Sequence, residues 1–152
     1  MNKKIRNQNQ GFTIIEVLIV LAIAGLIMLI VFLAVPALQR QSRNTARKND
    51  VGRVGASVTE YSSNRNGALP TNGGDITPLV GTLAQYETGN IQVATGTGGA
   101  DAITDVSQMR VVTGARCSAS NNGTVAGGST RQVAIQYAVE TSNGSLAVCQ
   151  DV

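Results

Sequence analysis

The longest uninterrupted pattern in the chain is an apolar run of 22 residues, from Val17 to Leu38, without a charged or strongly polar side chain. At a helical rise of 1.5 Å per residue, this run spans about 33 Å, against a bilayer hydrocarbon core of about 30 Å. A cleavable secretory signal would have a shorter apolar core of about 7–15 residues, with small residues at a cleavage site after it. The pattern therefore predicts one membrane-spanning helix near the N-terminus.

From Gln39 onward the pattern becomes amphipathic. Apolar residues recur at intervals of three and four, which places them on one helical face: Val51, Val54, Val58 and Tyr61. The stretch "NRNGALP" supplies a C-terminal cap in Gly67 and a helix-stopping Pro70. We therefore expect one helix that continues to about residue 64 and packs its apolar face against the elements that follow.

The remaining chain is rich in Gly, Thr and Ser. Residues 65–105 predict a variable surface loop carrying a short helix or strand. Residues 106–152 contain three β-branched runs, "SQMRVVTGARC", "RQVAIQYAVET" and "SLAVCQDV", and "SNGS" between the last two predicts a hairpin turn at Asn143-Gly144. The predicted fold is α+β, with a long N-terminal helix, membrane-spanning in its first half and amphipathic in its second, packed on a small antiparallel sheet of three or four strands.

The two cysteines, Cys117 and Cys149, both lie on the far side of the apolar run from the basic N-terminus. A disulfide between them would close a loop of about 33 residues, contribute roughly 3–4 kcal/mol, and require an oxidising, extracytoplasmic compartment. The alternative is a pair of buried free cysteines. A zinc site is not expected, because the chain has no histidine and no close cysteine pair.

Composition argues against catalysis. Without histidine, the usual pairs of nucleophile and base are missing, and the carboxylates are scattered. The glycines lie in Thr- and Ser-rich turns rather than in a phosphate-binding loop. We therefore predict no enzyme, no cofactor and no metal site.

The excess of basic over acidic residues comes from the N-terminus. Three of the twelve basic residues, Lys3, Lys4 and Arg6, lie in the first ten positions. Without them nine basic residues remain, which equals the nine acidic ones. A formal charge of +3 therefore does not indicate a nucleic-acid partner.

Glu16 lies at the front of the apolar run, and two interpretations compete. It can cap the start of an anchor helix, where a carboxylate meets the favourable end of the helix dipole. It can also be an intramembrane charge, which is costly and usually marks a function together with a counter-ion.

The segment "KKIRNQNQGFTIIEVLIVLAIAGLI" resembles the class III leader and N-terminal helix of type IV pilins and pseudopilins. The shared features are a basic leader, Gly11 before the scissile bond, Phe12 after it, Glu16 as fifth residue of the mature chain, and Gly25 in the helix. The resemblance covers roughly the first 38 residues at motif level and the rest only in architecture. It implies that a membrane prepilin peptidase cuts after Gly11 and methylates the amine of Phe12.

The resemblance also implies an organisation into a cleaved basic leader (1–11), a transmembrane and filament-core helix (12–38) and a globular pilin head (39–152). In a bundle of such helices, Glu16 of one subunit would pair with the Phe12 amine of its neighbour, which rewards correct axial register. Relatives commonly carry a helix-breaking proline about one turn before Pro36. We expect the segment between Gly25 and Pro36 to bend or partly melt on assembly.

The expected function is that of a structural type IV pilus subunit, which polymerises with itself into a surface filament for adhesion, twitching motility or DNA uptake. Its partners would be the cytoplasmic membrane before assembly, the prepilin peptidase and the pilus assembly platform. The head would be extracytoplasmic, and extracellular in the pilus. The alternatives are a pseudopilin of a type II secretion or competence system and a membrane-anchored binding module that does not polymerise.

A basic run follows the apolar one: Arg40, Arg43, Arg47, Lys48 and Arg53. It can contact DNA during uptake, or it can form ion pairs across a filament with carboxylates such as Asp50 and Glu60. We favour a structural or solvated role, because charge runs are common on helix faces and no aromatic residues are interleaved for base stacking.

Overall fold

The computed structural model describes residues 11–96, 101–119 and 123–152. Most of the predicted basic leader, residues 1–10, lies outside the described residues, as do residues 97–100 of the predicted variable loop. The chain divides into two compact units, Met1–Leu38 and Gln39–Val152. Each unit is described separately below.

The first unit consists, in its described part, of the beginning of helix α1, which runs from Ile14 to Asn64. Its side chains from Val17 to Leu38 are apolar, apart from the two glycine and proline positions Gly25 and Pro36. Pro36 lies inside the helix without ending it. Among the described residues, α1 is the one helix that is long and apolar enough to cross a membrane. This apolar start of α1 fits a membrane anchor.

In its described residues, the second unit adds to α1 a short helix, a 3₁₀ turn and six strands. The helix α2 spans Gly73–Val80 and the 3₁₀ turn spans Thr88–Asn90. The strands are β1 (Ile91–Thr95), β2 (Met109–Thr113), β3 (Ala115–Cys117), β4 (Val125–Gly127), β5 (Val133–Thr141) and β6 (Gly144–Asp151). They form a four-stranded sheet of order β1-β2-β5-β6 and a separate two-stranded sheet, β3-β4.

The predicted α+β class is confirmed, but the sheet is not entirely antiparallel. β2, β5 and β6 are antiparallel neighbours, whereas β1 runs parallel to β2, with Ile91 opposite Met109 and Thr95 opposite Thr113. A parallel pair needs a long connection, and the chain between Thr95 and Met109 supplies thirteen residues for it. β1 lies within the segment for which the sequence predicted a variable loop, together with α2.

The predicted hairpin between the last two strands is present, displaced by one residue. Thr141 pairs with Gly144, so the two turn residues are Ser142 and Asn143. Gly144 instead opens β6 with a φ of 134°, a conformation that a side chain would disfavour. The Asn-Gly pair therefore marked the turn correctly but not its centre.

Both faces of the four-stranded sheet are buried. One face packs with α1 and α2 in a core that includes Val51, Val54, Ile76, Val111 and Ile135. The opposite face carries a smaller cluster of Val112, Ala115, Val125 and Ala134, with the two cysteines packed against it. Successive residues of β2 and β5 point to opposite faces, which explains why these strands are apolar without clear alternation.

On the face of the sheet that lies opposite α1, the buried side-chain amide of Gln136 holds the covering segments in place. Gln136 is completely buried, and its side-chain nitrogen donates to the carbonyl oxygens of Asp101, at 3.1 Å, and Gly123, at 2.7 Å. A Cβ on Gly123 would lie 2.3 Å from that of Ala147, so this close approach requires glycine. Gln136 therefore holds two otherwise irregular segments against the sheet.

A disulfide joins Cys117, at the end of β3, to Cys149 in β6. Asp151 accepts a hydrogen bond from the backbone nitrogen of Cys117 at 2.7 Å, close to the same link. The two-stranded sheet is thus tied covalently to the last strand of the main sheet.

We predict that replacing both cysteines, as Cys117→Ala with Cys149→Ala, lowers the free energy of unfolding by about 3–4 kcal/mol, because the unfolded chain gains the entropy of an open loop. Chemical unfolding of the full chain in detergent, without reductant, measures this. Adding reductant to the parent chain should reproduce the loss and leave the double variant unchanged. Equal unfolding midpoints of parent and variant would contradict the prediction.

Candidate functional site

The first turn of α1 is closed by a reciprocal pair of hydrogen bonds between Thr13 and Glu16. The Glu16 carboxylate accepts from the backbone nitrogen of Thr13 at 2.8 Å and from its hydroxyl at 2.7 Å. The backbone nitrogen of Glu16 donates to the Thr13 hydroxyl at 3.4 Å. This is a capping box, in which a threonine before the helix and a glutamate three residues later satisfy each other's free backbone donors.

The capping box agrees with the interpretation of Glu16 as a helix cap. It is also compatible with the interpretation of Glu16 as a charge that pairs with a counter-ion. Both bonds from Thr13 end on the same oxygen, Oε2, and no hydrogen bond to Oε1 occurs within the described residues. Phe12 is the residue next to this cap and is 91% exposed. An amine created at Phe12 would therefore belong to the residue just before the capping threonine, four residues ahead of a carboxylate whose Oε1 has no hydrogen bond within the described residues.

Beyond this cap, the apolar side chains of the first unit are not covered by any part of the chain that the structure describes. Ile14 is 82% exposed, and Leu33 is 74% exposed. The 18-residue apolar window within α1 is 0% buried. Because an α-helix satisfies its own backbone hydrogen bonds, such a segment is stable in lipid or against other apolar helices, and not in water.

Two further predicted residues, Gly25 and Pro36, lie in the same stretch, about 17 Å apart along the helix axis. A Cβ placed on Gly25 would meet nothing within 4 Å. Pro36 cannot donate the hydrogen bond to the carbonyl of Phe32 that another residue would make. Gly11 lies ahead of the helix start and is exposed.

In the second unit, two arginines of the basic run converge on one carboxylate. The Nε of Arg43 donates to both carboxylate oxygens of Glu140, at 2.9 and 3.1 Å. A terminal nitrogen of Arg47 lies 2.8 Å from Oε1 of the same residue, and the Arg47 side chain is only 6% exposed. We call these three residues the arginine clamp.

The clamp is reinforced by an amide on the same helix. The Asn44 side chain donates to the backbone oxygen of Glu140 and accepts from its backbone nitrogen, each at 2.8 Å. The Asn44 side chain thus makes the two backbone hydrogen bonds that a neighbouring strand would make to Glu140 at the end of β5. One turn further along α1, Asp50 is buried and accepts hydrogen bonds from the backbone nitrogens of Ala84 and Gln85.

These contacts change the interpretation of the basic run. Arg43 and Arg47 are used within the chain, and Arg53 donates to the backbone oxygen of Thr82 at 2.6 Å. Asp50, expected as a partner across a filament, is instead buried within its own unit. The sequence pattern did not indicate Glu140, because a carboxylate near a strand end looks like an ordinary surface residue until the helix is placed beside it.

The clamp depresses the pKa of Glu140 from 4.5 to about 2. The hydrogen bond from Arg43 is the largest cause of the lowered pKa; desolvation opposes it, and the hydrogen bond from Arg47 lowers the pKa further. Because the pKa is lower in the folded than in the unfolded state, the clamp stabilises the fold at neutral pH. That contribution is lost as the pH falls from about 4.5 towards 2.

We predict that between about pH 5 and pH 2 the parent chain loses about 1–2 kcal/mol more unfolding free energy than Glu140→Gln, after allowance for solvent screening of the half-exposed Arg43. Denaturant unfolding at a series of pH values measures this difference. Glu87→Gln, at an exposed position, serves as the matched control and should keep the parent's slope. Parallel curves for parent and Glu140→Gln would contradict the prediction.

Comparison with known proteins identifies the N-terminal segment. Residues 6–32 match the family described as "Prokaryotic N-terminal methylation motif", and this range includes Gly11, Phe12, Glu16 and Gly25. No curated protein and no solved structure matches the chain.

The motif implies processing by a prepilin peptidase and assembly into a pilus or pseudopilus in general terms. Proteins of this kind are structural rather than catalytic. The capped apolar helix and the matched motif lie on the same residues, so sequence and structure lead to one conclusion. Residues 6–32 of the chain therefore carry the prokaryotic N-terminal methylation motif, which is the class III signal peptide of type IV pilins and pseudopilins.

Proposed function

We propose that this chain is a structural subunit of a type IV pilus, which polymerises through residues 12–38 into a surface filament. The observation that carries the proposal is the methylation motif at residues 6–32, which coincides with an apolar helix that the described residues leave uncovered. Such a helix needs either lipid or other copies around it. Before assembly the cytoplasmic membrane covers it, and in the filament neighbouring copies do.

Cleavage after Gly11 by the prepilin peptidase would convert Phe12 into a methylated, positively charged N-terminus. This amine lies beside the capping box, where Oε1 of Glu16 has no hydrogen bond within the described residues. Burying either charge alone among apolar helices is costly, and pairing them between neighbouring copies removes much of that cost. The pair therefore favours one axial register of the growing filament over displaced ones.

The second unit would form the filament surface. Its disulfide supports an oxidising, extracytoplasmic compartment for this unit, which in the proposed filament would be outside the cell. The arginine clamp supports a structural use of Arg43 and Arg47 rather than contact with DNA. Adhesion, twitching motility and DNA uptake are the activities that such a filament would serve, with the assembly platform as partner.

A pseudopilin of a type II secretion or competence system is the second candidate, because the methylation motif is common to both kinds of protein. The two differ in the length of the fibre. A pilus subunit is recovered by shearing from the cell surface, whereas a pseudopilin remains with the envelope.

We expect the chain recovered from sheared surface material to be processed, so that it lacks residues 1–11 and carries one methyl group on Phe12. The disulfide should make it lighter by two hydrogens than the reduced chain. Intact-mass analysis without reductant measures all three. A chain that retains Met1 and stays in the membrane fraction would identify a non-polymerising anchored module instead.

Two substitutions of Glu16 in the same experiment separate capping from charge pairing. Glu16→Gln keeps a capping residue three positions after Thr13 but removes the charge, whereas Glu16→Ala removes both. If the pair with Phe12 sets the register, both variants are processed and remain in the membrane, with at least tenfold less protein in the sheared fraction. Normal filaments from Glu16→Gln would show that capping alone is needed.

A further prediction concerns the helix in the filament. We expect residues between Gly25 and Pro36 to bend or lose helical hydrogen bonds on assembly, because glycine is permissive and Pro36 leaves the Phe32 carbonyl without its donor. A map of the filament at side-chain resolution tests this. Continuous, straight helix throughout this segment would refute it.

A further inference from the structure

The β5–β6 hairpin points towards the residues at which the second unit begins. Ile135, near the start of β5, is close to α1 at Gly55, since a Cβ on Gly55 would lie 3.8 Å from a side-chain carbon of Ile135. Glu140, near the end of β5, is bonded to Arg43, which lies much earlier in α1. β5 therefore runs antiparallel to this part of α1, and the turn at 142–143 lies beyond the clamp.

This end of the second unit is held close to the bilayer by the length of the chain alone. Leu38 is the last residue of the apolar run, and Arg43 follows it by five residues. Five residues span at most about 18 Å even when fully extended, so Arg43 lies within that distance of a bilayer surface reached at Leu38. Because Glu140 is bonded to Arg43, the end of the hairpin is near the same surface.

The same end of the second unit has more positive charge than its own carboxylates neutralise. In the arginine clamp two guanidinium groups share the carboxylate of Glu140, which leaves one positive charge in excess. Arg40 is half-buried, lies about one turn before the clamp on the same face of α1, and has no hydrogen bond or ion pair within the described residues. The adjoining loop contributes one carboxylate, Asp105, next to Thr104, whose backbone oxygen accepts a hydrogen bond from the Ser145 hydroxyl. A positive surplus therefore remains.

Beside these cations the hairpin presents an uncharged tip and an exposed leucine. Residues 141–145 are exposed and contain no charged side chain. Leu146 pairs with Val139 and is 49% exposed, the largest fraction among the large apolar side chains described in the second unit. Val148, two residues along β6, packs against the core under α1, and alternate residues of a strand share a face. Leu146 is therefore on the α1 side of the sheet, where the core no longer covers it.

A partner for this surface must offer anionic groups to arginines and apolar material to a leucine. Lipid phosphates accept paired hydrogen bonds from a guanidinium group, and anionic lipids attract basic segments close to a membrane. The boundary between headgroups and acyl chains accepts apolar side chains such as leucine. A soluble anion would leave Leu146 uncovered, whereas an anionic bilayer meets both requirements and is already within reach.

We propose that, before assembly, the second unit docks on anionic phospholipid headgroups of the bilayer in which the apolar segment is anchored. The docking surface, called here the hairpin–arginine surface, consists of Arg40, Arg43, residues 141–145 and Leu146. The proposal rests on the membrane anchorage that a pilus subunit and a pseudopilin share, and not on polymerisation. Arg40 contacts lipid phosphate, and Leu146 enters the boundary of the acyl chains. Extraction of the chain into a filament then has to break these contacts.

The experiment uses the full oxidised chain in vesicles, with a nitroxide attached at Asn143→Cys in the exposed turn. The vesicles consist of phosphatidylcholine alone, or of equal parts of phosphatidylcholine and phosphatidylglycerol in both leaflets. Electron paramagnetic resonance measures how often the nitroxide collides with a neutral, water-soluble nickel chelate. We expect anionic vesicles to shield the nitroxide. Salt should restore its accessibility, because exposed charges are screened.

Three substitutions in the labelled chain test the assignment of residues. Loss of one arginine contact with an anionic surface, in Arg40→Gln, should lower the ratio of shielded to free nitroxide about fivefold. Leu146→Ser should also lower this ratio. Arg131→Gln is the matched control, because Arg131 is exposed just before β5, at the opposite end of that strand from the turn, and the ratio should stay unchanged. Circular dichroism spectra identical to that of the parent show that the variants are folded.

Several results would overturn the proposal. Equal accessibility of the nitroxide in neutral and anionic vesicles would do so, as would equal ratios for the parent, Arg40→Gln and Leu146→Ser. Shielding that depends on the ratio of protein to lipid, and not on lipid charge, would assign the surface to a second copy of the chain. The vesicles contain neither peptidase nor assembly platform, so these outcomes are independent of polymerisation, which the sheared surface fraction tests separately.

Discussion

The main physical constraint on this protein is an apolar helical segment that nothing in the described part of the chain covers. In the first unit, side chains such as Phe12 and Leu33 are mostly exposed, so burial must come from lipid or from other copies. The capping box between Thr13 and Glu16 lies at the start of this segment and satisfies the backbone donors that the helix leaves free. Lipid and the apolar faces of other helices would supply the same kind of contact, so either could cover this segment.

The second unit follows a different rule, since it buries its apolar residues internally. Val51, Val54 and Val58 complete a core with the sheet, and the disulfide and Gln136 fasten irregular segments to the opposite face. The arginine clamp adds a charged contact at the end of β5 that uses up two cations of the basic run. A domain with few aromatic residues thus combines a modest core with one covalent link and one well-bonded ionic cluster.

The sequence predicted elements well where a periodic pattern continued over many residues. The apolar run, the amphipathic face of α1 and the last two strands are of this kind, and the hairpin was displaced by only one residue. Prediction was poorer where structure depends on distant partners. β1 was assigned to a variable loop because five residues, Ile91 to Thr95, carry too short a pattern, and only pairing with β2 makes them a strand. Glu140 was missed for the same reason, because its partners are almost a hundred residues away.

The sequence alone was enough to predict an apolar segment of membrane-spanning length, the methylation motif at residues 6–32 and the general α+β class. These properties follow from local composition and from the order of residues along one helix, which do not require knowledge of the fold. Only the tertiary structure shows that β1 is parallel to β2, that Arg43 and Arg47 meet Glu140, and that the buried amide of Gln136 bonds the backbone of Asp101 and Gly123. Each of these depends on contacts between segments far apart in the chain, whose free energies arise only when the sheet brings those segments together.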